Sequence, residues 1–71
     1  MKDKNEILTA IGCNVQRLRE DMGLSQEKFA ELANVHRTYI GTVERGETNL
    51  TVLNLYKIAK ALNVKPSDIL P

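Results

Sequence analysis

Apolar residues recur at spacings of three and four over the first third of the chain: Ile7, Ile11, Val15, Leu18 and Met22. That period predicts one amphipathic helix ending near Met22, with these five side chains on its buried face. Asp3, with Glu6 three residues on, resembles a capping box at its start. Gly23, a residue that tolerates the left-handed conformation, ends it. Gly12 within it costs about 1 kcal/mol relative to alanine and leaves the assignment unchanged. Ser25 then caps a second helix of about eight residues, whose buried face is Phe29, Ala30, Leu32 and Ala33. A glutamate at position 28 would complete a capping box, but Lys28 stands there. Asn34 visits positive φ at modest cost and suits the turn that follows, with Val35 plugging that turn into the core.

A third helix is expected from about His36 to Arg45, stopping at Gly46. Thr38, Gly41, Thr42 and Val43 are weak helix formers, so this segment must be held by Ile40 and Val43 packing on the rest. Arg37, Thr38, Gly41, Thr42 and Arg45 fall together on its polar side. Thr51 is a cap for a fourth helix, TVLNLYKIAKALN, with Val52, Leu55, Ile58, Ala59 and Leu62 inward and Asn63 at its end. Pro66 suits the first turn of a brief fifth helix, PSDIL, whose Ile69 and Leu70 close the core. The expectation is an all-α fold: a compact five-helix bundle forming a single domain over residues 1–71. Helices two and three would make a helix-turn-helix, the second helix turning its exposed side to a DNA major groove.

Composition narrows what supports so small a core. The 71 residues are 42% apolar with three aromatics, which points to aliphatic packing and marginal stability on its own. Cys13 is the lone cysteine, so no internal disulfide forms, and Cys13 with His36 cannot complete a tetrahedral metal site. No metal or cofactor is expected, and self-association is the remaining supplement. The bland reading of Cys13, a small residue on a helix flank, fits a reducing compartment. No stretch approaches the roughly twenty apolar residues of a membrane span, and MKDKNEILTA lacks the pattern of a secretory signal. A cytoplasmic protein without membrane contact is expected. An enzyme is not, since one histidine, one cysteine and no glycine-rich phosphate loop offer no catalytic set. The net charge of +1 carries no nucleic-acid signal of its own, so a DNA-binding chain must concentrate its positive charge on one surface.

The motifs RLRE-x-x-GLSQ, FAELA, xxYIxxVERG and LxxIAKALNV, taken together, resemble the Cro/repressor-type helix-turn-helix family over nearly the whole chain. The fold so implied is the lambda-repressor-like bundle. HRTYIGTVERGETNLTVLNLYKIAKALNV is most similar to controller proteins of restriction-modification systems. The resemblance implies a homodimer on paired, pseudo-palindromic operator half-sites in double-stranded DNA, regulating transcription of its own gene and that of the endonuclease. Cooperation between dimers on tandem sites and contact with RNA polymerase are further candidate interactions that the sequence leaves open. One departure is Thr48 before Asn49, where such controllers often carry an arginine; a contact made there is weaker or missing. A phage- or plasmid-type repressor, or a protein-interaction module keeping the fold without DNA, are the alternatives.

Within that frame Arg37 is the first candidate for base reading, because a guanidinium matches the O6 and N7 acceptors of guanine. Its competing role is a solvated arginine or a partner of Glu31. Thr38 and Thr42 are further candidates, with hydroxyl or methyl toward base edges, and Gly41 between them would let the helix sit close. Ser25 and Gln26, at a helix start that attracts phosphate, are candidates for the backbone. Tyr39, Arg45 and Asn49 join them, with packing against the fourth helix the alternative for Tyr39. His36 reads as structural or as a phosphate neighbour. The resemblance assigns Arg19 and Glu44 to a largely buried ion pair between the first and third helices. Leu50, Leu53 and Tyr56 lie off the inward face of the fourth helix and form an exposed apolar patch, the candidate dimer interface.

Overall fold

Side-chain caps open each α-helix in the computed structural model, which describes residues 3–71. Asp3 accepts from the Glu6 amide at 2.8 Å and starts α1, Lys4–Asp21. Ser25 accepts from the Lys28 amide at 3.0 Å and starts α2, Gln26–Ala33. His36 accepts through Nδ1 from the Thr38 amide at 3.1 Å and starts α3, Arg37–Glu44. Thr51 accepts from the Asn54 amide at 3.1 Å and starts α4, Val52–Leu62. Each cap satisfies an amide that has no carbonyl a turn earlier.

The four helices also end alike. Gly23, Asn34, Gly46 and Asn63 follow them at positive φ. The next amide then donates back into the last turn: Leu24 to Arg19, Val35 to Ala30, Glu47 to Thr42 and Val64 to Ala59. The expected fifth helix is instead a 3-10 helix of three residues, Pro66–Asp68. Proline removes one amide, and so short a segment does not sustain an α-helical turn. The fold is all-helical, with no strand among the described residues, and has four α-helices rather than five. No helix among the described residues is long and apolar enough to cross a membrane.

α3 sits between α1 and α2, α2 also packs on α4, and the 3-10 helix closes against α4. Val15, Phe29, Ile40, Val43, Ile58 and Ile69 are fully buried at the centre. Asn14 donates to the Ile69 carbonyl at 2.8 Å and pins the last segment to α1. Five residues expected inside are exposed: Ile7, Met22, Leu32, Val52 and Leu70. α1, at 18 residues, spans about 27 Å and overhangs the eight-residue α3 it crosses, so Ile7 and Met22 lie beyond the contact. In α2 the stripe of Phe29, Ala30 and Ala33 fills the available contact, leaving Leu32 on its flank. Val52 opens α4 before its inward face begins, and Leu70 follows the buried Ile69 facing the other way.

The crossing of α1 and α3 is close because of Gly12. A Cβ there would stand 2.5 Å from the Val43 carbonyl oxygen and 2.6 Å from that of Glu44. Gly46, at φ +74, backs onto Thr9 of α1 in the same way, with a Cβ only 3.0 Å from its Cα. The glycine that looked like a defect in a helix is the condition for this contact.

Candidate nucleic-acid interface

α3 is helical against its own preferences, and its inner face explains why. Ile40 and Val43 are buried in the core, and Glu44 is buried against α1. Arg19 donates to Glu44 twice, Nε to Oε2 at 2.7 Å and Nη2 to Oε1 at 3.1 Å. Its third nitrogen donates to the Leu24 carbonyl at 2.7 Å, and Gln26 Nε2 reaches Glu44 Oε1 at 2.9 Å. No buried side-chain nitrogen or oxygen among the described residues lacks a partner. The hydrogen bond to Glu44 raises the Arg19 pKa above its ordinary value, against a smaller lowering by burial. A raised pKa contributes stability below the unfolded value and loses it only as pH rises through the folded one. Arg19 is therefore charged throughout the neutral range.

The outer face is built differently. Gln26, Glu27, Arg37, Thr38, Gly41 and Arg45 line one open cleft between the start of α2 and α3. Arg37 and Thr38 are exposed in the first turn of α3. The Arg37 guanidinium lies 3.6 Å from Glu27, and not against the expected Glu31, which faces Lys28 at 4.0 Å. Position 27 is one turn closer to the start of α2, where α3 begins its crossing. Arg45 donates to Glu47 at 3.1 Å and lies over Gly41, which is buried beneath it. Both arginine pairs are well exposed, and such pairs are worth about 0–1 kcal/mol, so either arginine can leave for a stronger acceptor.

Other expected contact residues are partly committed. The Thr42 hydroxyl donates to the Tyr39 carbonyl at 2.7 Å, leaving its methyl and an acceptor lone pair. Ser25 accepts an amide as cap and keeps its own proton. Gln26 gives one amide hydrogen to Glu44 and keeps the second. The Tyr39 ring packs on the core, and its hydroxyl accepts from Asn54 Nδ2 at 3.1 Å. Asn49 is exposed in the loop before α4.

On α4, Leu53 and Tyr56 are exposed as expected, and Val52 joins them on the same side. Leu50 does not: it is half-buried against the core. Spacing to Leu55 and Ala59 points Val52 inward, and its place at the first helical position is the signal against that. The His36 cap agrees with a structural role for that residue, and the Tyr39–Asn54 bond agrees with Tyr39 packing against the fourth helix, but neither specific bond is legible in the sequence. Imidazole is an uncommon cap, and nothing in the spacing of 39 and 54 announces a contact between two helices. Among the described residues no cluster of His, Cys, Asp and Glu is arranged to hold a metal.

Residues 15–69 match the helix-turn-helix family HTH_3. The control protein C.SmaI of Serratia marcescens is 47% identical over 68 residues, covering 96% of this chain and 77% of that protein. The control protein C.BamHI of Bacillus amyloliquefaciens is 43% identical over 67 residues, covering 93% and 83%. The crystal structure of the restriction-modification controller protein C.AhdI from Aeromonas hydrophila superposes with a TM-score of 0.87 at 40% identity, covering 89% of this chain and 96% of that one. All three relatives are named as control or controller proteins. The chain belongs to the helix-turn-helix family and is similar, within it, to the restriction-modification control proteins.

Proposed function

We propose that the chain is a sequence-specific DNA-binding regulator of transcription, acting as a homodimer on pseudo-palindromic operators in the manner of a restriction-modification control protein. The observation that carries this is the cleft face of α3: Arg37 and Thr38 stand exposed beside the start of α2, on a helix whose other side is fixed in the core. In this reading residues 1–71 work as one domain. Arg37 reads guanine, with Thr38 and the Thr42 methyl against neighbouring base edges. Ser25, Gln26, Tyr39, Arg45 and Asn49 hold the phosphates that set register. The α2 start suits that task, because its first amides and the dipole favour an anion.

In the same reading the dimer forms through α4, a proposal supported by the exposure of Leu53 and Tyr56 with Val52 beside them. A two-fold pair would set the two α3 helices about 34–36 Å apart, on successive major grooves. Cooperation between dimers on tandem operators and contact with RNA polymerase extend the same reading to the promoter.

Binding-site selection from random duplexes tests it. Selection should return a pseudo-palindrome, with affinity falling steeply as salt rises. Repeating it with Arg37→Ala should relax one base per half-site, a discrimination of about 1–3 kcal/mol. A uniform loss across sequences would reduce Arg37 to a phosphate contact. Failure to enrich any sequence would refute the reading. A monomer mass in sedimentation at tens of micromolar would remove the dimer.

A further inference from the structure

Tyr39 and Asn54 make the one side-chain hydrogen bond between α3 and α4 among the described residues. We infer that Asn54 is a positioning residue: it holds the Tyr39 hydroxyl as a proton donor toward a DNA phosphate. This rests on the phosphate contact proposed above for Tyr39 and adds the device that aims it.

A phenol has one proton to give and lone pairs to accept with, while a phosphate oxygen only accepts. The contact therefore forms only when the O–H points at the backbone. Asn54 donates its amide to Tyr39 Oη at 3.1 Å, which occupies the acceptor side of the hydroxyl and leaves the proton for another partner. Both groups are half-buried, and the tyrosine ring packs on the core, so the ring cannot swing away from this donor. The Asn54 backbone is held as well, because it lies in the first turn of α4 and its amide donates to Thr51 Oγ1. The hydroxyl enters the complex already turned, and binding need not stop its rotation.

The test is a double-mutant cycle on the operator recovered by site selection, using Tyr39→Phe, Asn54→Ala and the two combined. Tyr39→Phe should weaken binding about ten- to hundredfold, the usual effect of losing a hydrogen bond to a charged group. Asn54→Ala should weaken it by up to the same factor, and the double variant no further than Tyr39→Phe alone. Alanine is the better helix former, so the melting temperature of Asn54→Ala should hold. Asn54→Asp gives the order of donor and acceptor: its carboxylate accepts a hydrogen bond from the tyrosine hydroxyl and turns the O–H away from the phosphate, so it should lose more than Asn54→Ala, beyond the repulsion read in the Tyr39→Phe background. Unchanged binding by Tyr39→Phe removes the tyrosine contact itself, and the inference with it. Equal losses from Asn54→Ala with and without the hydroxyl leave the tyrosine contact standing and overturn the role of Asn54. A fall in melting temperature that accounts for the lost affinity overturns it too.

Discussion

A methyl group added at Gly12 would press on two backbone oxygens of α3, at 2.5 and 2.6 Å; one added at Gly41, across the same helix, would meet only the Arg45 guanidinium, at 3.2 Å. The first position lies in the seam between α1 and α3, where main chains touch and Arg19, Gln26 and Leu24 converge around Glu44 and its partner. The second lies under the open cleft, where the neighbours are tips of flexible side chains held by exposed ion pairs. One short helix is thus fixed from behind and left adjustable in front. Close main-chain packing belongs to the side that places the helix, and exposed long side chains to the open cleft.

The largest test of that contrast is Glu44→Ala. It strands the buried Arg19 and should cost about 3–5 kcal/mol of stability in urea titration, with DNA affinity falling only as folded protein is lost. Equal melting of variant and parent would mean the seam does not depend on its charges. Gly12→Ala comes next, at about 3 kcal/mol, because carbonyls in a helix cannot rotate away from the added carbon. Gly41→Ala should go the other way: Arg45 moves aside, and the gain in helix propensity adds up to about 1 kcal/mol. Operator affinity should fall while stability rises. Destabilisation at 41 comparable to that at 12 would erase the distinction between the two sides.

Much of the frame was readable in advance, since it rests on local chemistry. Ser25, Thr51 and Asp3 announce helix starts, and Asn34 and Asn63 announce ends, by what their own side chains and backbones do. Where two elements must meet, the pattern told less. Gly12 reads as a cost in any single-helix view and acquires its meaning only once Val43 and Glu44 lie against it. Ile7 and Met22 obey the period of α1, yet a helix longer than its neighbour leaves its ends uncovered whatever their spacing. Arg37 has two glutamates within reach along α2, and only the crossing of α2 and α3 selects Glu27. Asn54 carries no pattern at all; its partner is fifteen residues away on another helix.

Arg37 and Thr38 are exposed and lie outside the buried core, and the Arg37 guanidinium pairs with a carboxylate that is itself exposed. Exchanging either residue disturbs no buried packing. Under the proposed reading of bases by Arg37 and Thr38, a descendant of this chain acquires a new operator by altering two surface positions, while the scaffold behind them is inherited intact.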